Sequence, residues 1–422
     1  MSTTILVIGL MVFFAHFLSL QFRKTNIPDV LVLMLVGIVI GPVLGIVMPE
    51  DFGKIGSLIA TIALVVILFE GGTSLNINVL GKSLGTTGML AIACFLLTVI
   101  IVALIGMLAF ELKLFPAILL GIILGGTSSA VVIPMVNALG LPDKPATVLV
   151  LESALTDVLC IVGVFAMLQI HTQGGIEAGK LVGSVLAALI FAVVIGVLGG
   201  IGWLLVLGKM RDFPNTISST LAYVFIVYGL TEMLGFSGAI AALALGITLT
   251  NFEKFGLYRI SNIDRNLVPL NETDLTFYRE AVFLLKTYFF VYLGISIHFG
   301  NVFLAVAAFA MVLLVYLMRL ALARRVLFDP SYSLRDTAIT SMMAPKGLAA
   351  AVLAALPLQY GVAGGEIIRD VTYMVVLVSI TLTALLVMAY PVPRVRSFYS
   401  HALEKLPGDS MMVSALPPDA QG

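Results

Sequence analysis

The chain has 422 residues, of which 60% are hydrophobic and 11% are charged, and its mean hydropathy is +1.13. Repeated apolar runs of about 20 residues are long enough to cross a bilayer, so this composition excludes a soluble globular domain and indicates an all-α polytopic membrane protein. The formal net charge is zero, which gives no sign of a nucleic-acid partner.

Thirteen apolar segments are predicted to be transmembrane helices. They lie at about residues 4–22, 28–47, 55–72, 87–110, 116–140, 146–170, 181–207, 216–233, 237–250, 280–298, 302–325, 335–358 and 368–390. Segment 1 is followed, rather than preceded, by Arg23 and Lys24, which is the reverse of a signal peptide. We therefore expect segment 1 to be retained, with its N-terminus outside.

Basic residues predict the orientation of the whole chain. The loops that join odd-numbered to even-numbered segments, together with the C-terminal tail, contain most of the 23 lysines and arginines. The opposite loops contain only Lys54, Lys113, Lys180 and Arg369. By the positive-inside rule this bias predicts an outside N-terminus and a cytoplasmic C-terminus in the inner membrane of a cell.

Two polar regions interrupt or follow the apolar segments. The longest predicted loop, Asn251–Arg279, is polar and of mixed charge, and we expect it to link two structural halves on the cytoplasmic side. The tail from residue 393 is short, too small for a nucleotide-binding regulatory domain, and is expected to be disordered beyond about Pro407.

Segments 5 and 12 contain helix-breaking residues. Segment 5 contains Gly125–Ser129, with Ser128 and Ser129 at the end of the break, and then Pro134; segment 12 contains Ala344–Gly347, with Pro345 and Lys346 inside. Proline removes a backbone hydrogen bond and glycine weakens a helix, so both stretches are expected to unwind. Each segment is the middle member of a group of three, 4–6 and 11–13. Paired breaks of this kind predict an inverted-repeat transporter with its site near the bilayer midplane.

Three carboxylates lie within apolar sequence: Glu70, Glu152 and Asp157. A charge in a membrane helix costs about 3 kcal/mol on insertion scales, so each is a functional hypothesis. Asp157 shares a helix face with Ser153, four residues earlier. A buried carboxylate binds a proton or a metal cation, and each displaces the other, which suffices for antiport if only the loaded site crosses the membrane.

The remaining charged residues of the segments need partners. For Glu152 the favoured cationic partner is Arg319, with Lys346 as the rival. Lys346 would otherwise offset the dipoles of the helix ends at the break. Lys286 lies near the start of segment 10 and is expected to extend to the membrane interface.

A family resemblance becomes visible at these positions. The run GGTSSAVVIPMVNALGLPDKPATVLVLESALTDVLCIV resembles the monovalent cation:proton antiporter superfamily, most closely its NhaP-type sodium/proton antiporter branch. LFEGGTSL at 68–75, FFVYLGISI at 289–297, the helix around Arg319 and MAPKGLAAAV at 343–352 are similar to the same family in the same order.

The resemblance implies a homodimer in the lipid bilayer, with a mobile six-helix core domain that works by elevator-like alternating access. The implied domains are dimerisation helices 1–3 in residues 1–80, core helices 4–6 in 81–175, linker helix 7 with dimerisation helices 8–10 in 176–300, core helices 11–13 in 301–392, and a short cytoplasmic tail in 393–422.

The resemblance also implies roles for site residues, listed here by position. The cation-binding aspartate falls on Asp157, its neighbouring serine on Ser153, the crossover-helix threonine on Thr127, the cavity glutamate on Glu70, and the structural ion pair on Glu152 and Arg319. Asp157, Ser153 and Thr127 would ligate a monovalent cation, with Thr156 in support; their hard oxygens suit a small alkali ion.

The sequence departs from the family pattern in two places. Thr156 stands where the family usually has Asn, and Ser128–Ser129 stand where it usually has Asp-Pro. Both changes make potassium more plausible as a substrate. The electrogenic branch has a second aspartate in place of Thr156, so its absence predicts an electroneutral exchange of one cation for one proton.

The function predicted from these features is secondary active antiport of protons against monovalent cations, Na⁺ first, with K⁺ or Li⁺ as other candidates and no cofactor. One alternative is an uncoupled cation channel or facilitator. Another is a sodium-coupled symporter of an organic anion on the same fold type. No motif of a metalloprotease, an intramembrane protease or a nucleotide-binding enzyme is present in the sequence, so an enzyme is not expected.

Overall fold

The structure is a computed structural model that describes residues 9, 13–14, 16–17, 28–49, 53–74, 77–173, 178–209, 216–259, 269–300, 302–326 and 332–403. Across these ranges all regular secondary structure is helical, as the sequence predicts. Predicted segment 1 lies almost wholly outside the described residues.

Sixteen helices follow one another along the described residues. They are α1 Asp29–Ile38, which continues as a π-helical turn over Val39–Val43, α2 Gly53–Ser74, α3 Ile77–Phe110, α4 Leu114–Ile123, α5 Ser129–Leu139, α6 Asp143–Gln173, α7 Ala178–Lys209, α8 Thr216–Met233, α9 Gly238–Thr250, α10 Glu272–Ile295, α11 Val302–Val326, α12 Leu334–Met342, α13 Leu348–Leu353, α14 Leu356–Gln359, α15 Gly365–Ala389 and α16 Pro393–Leu403. A 3-10 turn, Leu257–Arg259, follows α9.

Within the described part of the chain, five helices contain stretches that are long and apolar enough to cross a membrane, judged by length and composition. These stretches are Thr87–Phe110, Lys144–Thr172, Ile190–Gly208, Val302–Val326 and Gly365–Ala389. Shorter apolar helices precede them, as in α1, or lie between them, as in α4, α9 and α13–α14. The chain is therefore a multi-pass membrane protein.

The predicted loop Asn251–Arg279 is wrong at its C-terminal end, because α10 begins at Glu272. A reciprocal capping box explains this early start. The side chain of Asn271 accepts a hydrogen bond from the amide of Asp274, the carboxylate of Asp274 accepts one from the amide of Asn271, and both distances are 2.8 Å. The polar residues after Asn271 thus form the first turns of a helix.

The tail begins with a helix. Residues Pro393–Leu403 form the amphipathic helix α16, which packs on α11 and α12 and buries the Tyr399 side chain. The predicted disorder beyond Pro407 lies outside the described residues.

The helices pack as two groups. One contains α1, α2 and α7–α10; the other contains α3–α6 and α11–α16. In the first group α1 crosses α10 with almost no space between the backbones. A Cβ atom on Gly37 would lie on the Val291 carbonyl oxygen and 3.0 Å from Gly294 Cα. Glycine at both positions lets the two helices touch, as small residues do in membrane interfaces.

The same helix pair contains a buried ion pair that contradicts the prediction for Lys286. Its Nζ atom lies 2.9 Å from Asp29 Oδ2, and the two side chains are only 10% and 7% exposed. Lys286 therefore does not extend to the interface. The carboxylate at the start of α1 provides a nearer partner, which compensates the charge inside the bundle.

Candidate functional site

The site is built where two helices stop and restart. Helix α4 ends at Ile123 and α5 begins at Ser129; α12 ends at Met342 and α13 begins at Leu348. The intervening stretches 124–128 and 343–347 contact each other, since the amide of Ser128 donates a hydrogen bond to the Pro345 carbonyl oxygen at 2.7 Å. A Cβ atom on Gly347 would overlap the Ser128 side chain, so this crossing requires glycine there.

Two details of the predicted breaks are corrected by the structure. Ser129 is the first residue of α5 and not part of the unwound stretch. Pro134 lies inside α5, which continues through it to Leu139. The loss of one amide donor at Pro134 is thus not enough to end the helix. The consecutive glycines upstream, in contrast, are enough to interrupt it.

Lys346 lies in the second break and forms hydrogen bonds to the first break and to α15. Its Nζ atom donates to the Gly126 carbonyl oxygen at 2.9 Å, and its backbone amide donates to Ser379 Oγ on α15 at 2.9 Å. The side chain is buried. Gly126 follows the C-terminal end of α4, where carbonyl groups lack helical partners, so the ammonium group offsets the negative end of that half-helix.

Asp157 lies on the unbroken helix α6, beside the N-terminal end of α5. The Ser129 hydroxyl donates a hydrogen bond to Asp157 Oδ2 at 3.1 Å. A Cβ atom on Gly126 would lie 2.9 Å from Cys160 Sγ and 3.4 Å from Asp157 Oδ1. The absence of a side chain at Gly126 therefore allows the break to approach the carboxylate closely.

Thr156 joins α6 to the first break. Its hydroxyl oxygen accepts a hydrogen bond from the Thr127 amide at 3.1 Å and donates its own proton to the Glu152 carbonyl oxygen at 2.9 Å. The two threonine hydroxyls lie 3.4 Å apart. Ser153 takes no part in this contact, because its hydroxyl donates to the Val150 carbonyl oxygen at 2.9 Å.

Glu152 and Arg319 form a bidentate ion pair in the interior of the same helix group. Arg319 Nη1 bonds to Glu152 Oε1, and Nη2 donates to Oε2 at 2.7 Å. Arg319 Nε donates to the Thr340 carbonyl oxygen at 3.0 Å, so one guanidinium joins α6, α11 and α12. Lys346, the rival partner, donates to Gly126 instead. Both charged side chains are buried.

The sequence of this chain matches that of a known protein family. The pattern of the family described as "Sodium/hydrogen exchanger, transmembrane" matches residues 9–388, which is most of the chain. The chain belongs to the sodium/hydrogen exchanger family. As predicted, it is therefore a member of a transporter family and not an enzyme.

Individual relatives of this chain are distant in sequence. It is 26% identical over 287 residues to the Na(+)/H(+) antiporter NhaS2 of Synechocystis, covering 67% of this chain and 50% of the relative. It is 24% identical over 367 residues to the K(+)/H(+) antiporter NhaP2 of Shewanella sp. strain MR-4, covering 85% of this chain and 61% of the relative. The chain thus spans about half to three fifths of the length of these curated relatives.

A solved structure shows the same fold. The sodium proton antiporter MjNhaP1 from Methanocaldococcus jannaschii superimposes with a TM-score of 0.69 and 22% identity, over 91% of this chain and 99% of that chain. The predicted fold class, a polytopic antiporter fold, is therefore confirmed.

The remaining predicted site residue, Glu70, lies in the other helix group. Glu70 is half-buried on α2, and its carbonyl oxygen accepts a hydrogen bond from the Thr73 hydroxyl at 2.7 Å. Helix α2 contacts α13, the half-helix that follows the second break.

The sequence does not indicate two contacts of the site. These are the hydrogen bond from Ser129 to Asp157 and the one from the Lys346 amide to Ser379. Each contact joins residues far apart in the chain, and spacing within one helix carries no information about them. The one available signal was the hydroxyl of Ser129 at a helix start, where polar side chains are common.

Proposed function

We propose that this exchanger is a secondary active antiporter that exchanges protons for monovalent cations across the membrane. The observation that carries the proposal is Asp157, a carboxylate on a continuous helix that is held beside the break of a crossing helix pair by Ser129. Such a group binds either a proton or a cation. The names of two relatives, one a Na⁺/H⁺ and one a K⁺/H⁺ antiporter, support the same class of exchange.

Each site residue has a proposed part in this exchange. Asp157 carries the proton or the cation. Thr127 and Thr156 hold the break against α6, and Thr127 is a proposed ligand. Ser153 is a further proposed ligand, because it shares a helix face with Asp157. Glu70, on the neighbouring helix group, attracts cations toward the site.

The charge balance supports an electroneutral exchange. Glu152 is neutralised by Arg319, and Lys346 compensates the carbonyl end of α4. Asp157 is then the one carboxylate of the crossing without an ammonium or guanidinium bonded to it in the described structure. One carboxylate exchanges one proton for one monovalent cation, and Na⁺ is the first candidate, ahead of K⁺ and Li⁺.

The two helix groups suggest how the site crosses the membrane. We propose that α3–α6 and α11–α15 form a mobile core that moves as an elevator. The helices α1, α2 and α8–α10 form a dimerisation domain, linked to the core by α7. Basic residues favour a cytoplasmic C-terminus and an outside N-terminus in the inner membrane.

The test is proton movement in proteoliposomes that contain a pH-sensitive dye. Na⁺, Li⁺, K⁺ and choline are added in turn to the wild type, to Asp157→Asn and to the control Asp370→Asn, whose carboxylate pairs with Arg369 at the start of α15. Antiport predicts cation-dependent proton movement in the wild type and the control and none in Asp157→Asn. Cation flux without proton movement would instead support an uncoupled channel. Retained coupling in Asp157→Asn would refute the carrier assignment.

A further inference from the structure

The hydrogen-bond donor to Asp157 comes from the other side of the helix crossing. Ser129 Oγ, on α5, donates to Asp157 Oδ2 at 3.1 Å. Ser153, one turn before Asp157 on α6, uses its hydroxyl for the Val150 carbonyl oxygen. The serine hydroxyl that contacts the carboxylate is therefore that of Ser129.

The side chains of the site also differ in their exposed fraction. Ser129 is half-buried and Asp157 is 9% exposed, whereas Ser153 is 0% exposed. The hydroxyls of Thr127 and Thr156 are buried against each other, 3.4 Å apart. Of these five side chains, Ser129 and Asp157 are thus the two most exposed.

The chemistry of a hydroxyl allows Ser129 to serve two states of the site. A hydroxyl has one proton to donate and two lone pairs to accept with. Its proton now points at the carboxylate. Rotation about the Cβ–Oγ bond alone would turn the proton away and direct an oxygen lone pair to the place where the proton was. No backbone movement is required.

Building on the proposed function, we propose that Ser129 is a direct ligand of the transported monovalent cation, together with Asp157. In the described structure the Ser129 hydroxyl donates to the carboxylate. In the loaded site its oxygen and one carboxylate oxygen face the ion. Oxygen ligands of this kind suit hard cations.

This ligand is a feature of this chain and not of the family pattern, in which the residue at position 129 is proline. Ser129 is the first residue of α5. Proline is favoured at the first position of a helix, because the amide there has no helical acceptor and the φ angle is suitable. Ser129→Pro therefore removes the hydroxyl at a position where the backbone tolerates the ring.

The experiment compares Ser129→Ala, Ser129→Pro and Ser129→Thr in the full chain reconstituted in proteoliposomes. The half-saturating Na⁺, K⁺ and Li⁺ concentrations for proton movement are measured. Loss of a hydrogen-bonding group next to a charge predicts an increase of about tenfold or more for Ala and Pro. Thr keeps the hydroxyl and is expected to stay within about threefold of the wild type.

The matched control is Ser341→Ala on α12, part of the other broken helix. Ser341 is buried, and its hydroxyl donates to the Ala338 carbonyl oxygen at 2.7 Å within its own helix. The control is expected to have the wild-type half-saturating concentration. A second readout is the gain in melting temperature on adding the cation to detergent-solubilised protein, which the Ala and Pro variants should lose at concentrations that stabilise the wild type.

The results distinguish a failure of the Ser129 assignment from a failure of the proposed antiport. Wild-type affinity in both Ser129→Ala and Ser129→Pro would overturn the Ser129 assignment. So would an equal loss in Ser129→Thr, since the effect would then come from packing. If the wild type itself shows no cation-dependent proton movement, the proposed antiport fails. If Asp157→Asn abolishes transport and Ser129→Ala leaves it unchanged, the assignment of Ser129 as a ligand is refuted and the proposed antiport stands.

Discussion

The hydroxyl oxygen of Thr156 accepts a hydrogen bond from the backbone amide of Thr127 at 3.1 Å, and this contact fastens the continuous helix α6 to the unwound stretch between α4 and α5. The family pattern has Asn at position 156. In this chain a shorter side chain supplies the acceptor. Thr156 is almost fully buried, so its main effect is to fix the break and not to meet an ion from water.

Thr156→Val is therefore expected to destabilise the protein while preserving side-chain shape. The Thr127 amide would lose its acceptor in a buried place, which costs about 1–3 kcal/mol. We expect a lower melting temperature in detergent and a reduced transport rate. Thr156→Asn places a carbonyl oxygen at the same position and is expected to recover part of both. A Val variant that melts and transports like the wild type would show that the contact is dispensable.

The Glu152–Arg319 pair predicts strong non-additivity. Glu152→Leu or Arg319→Met alone leaves one buried charge without a partner, which costs about 3–5 kcal/mol. The double substitution removes both charges and should be much less destabilising than the sum of the single ones. Folded yield and melting temperature, measured by fluorescence-detected gel filtration for all four members of the cycle, test this expectation. Additive losses would mean that the two side chains act independently.

Features that depend on local sequence could be predicted better than features that depend on contacts between distant parts of the chain. The twelve segments after segment 1 all correspond to helices, because hydropathy is a property of local sequence. The breaks in segments 5 and 12 followed from glycine and proline. The start of α10 was missed, since a few polar capping residues at Asn271 outweighed the polar composition of the loop.

Contacts between helices were predictable only where charge made them necessary. Glu152 required a buried cation, and Arg319 was one of two choices in the chain. Asp29 was not recognised as the partner of Lys286, because it lies at the start of a segment where carboxylates are common on the surface. The hydrogen bond from Ser129 to Asp157 depends on how two helices cross, which no pattern along one helix reports.

Lys346 is predicted to stabilise the crossing through its bond to Gly126. Lys346→Met removes both the donor and the charge near the carbonyl end of α4, so that the Gly126 carbonyl oxygen loses its hydrogen bond at a cost of about 1–3 kcal/mol. The melting temperature and the transport rate should fall together. Lys113→Met, an exposed lysine at the start of α4, is the control and should change neither. Unchanged melting of Lys346→Met would refute this role.

The buried pair of Asp29 and Lys286 predicts a defect in the other helix group. Lys286→Met leaves the Asp29 carboxylate buried without its cation, and Asp29→Asn leaves the ammonium without its anion; each single change costs about 3–5 kcal/mol. Both variants should lose melting temperature. The double variant Asp29→Asn/Lys286→Met should be more stable than either single variant, and the same thermal assay measures all three. A lysine that extends to the interface would instead give a Lys286→Met variant as stable as the wild type.

The close crossing of α1 and α10 gives a prediction that depends on space alone. A methyl group on Gly37 would lie on the Val291 carbonyl oxygen, which belongs to a helix backbone and cannot turn away. Gly37→Ala must therefore separate the two helices and is expected to cost at least the 1–3 kcal/mol typical of overpacking in a dense interior. Gly229→Ala, on α8, is the matched control, because a Cβ atom there meets nothing within 4 Å. Alanine also favours the helix over glycine by about 1 kcal/mol, so the control should melt at or above the wild-type temperature. If both variants have the same melting temperature, α1 and α10 can accommodate the extra methyl group. The rigid contact between the two helices is then refuted.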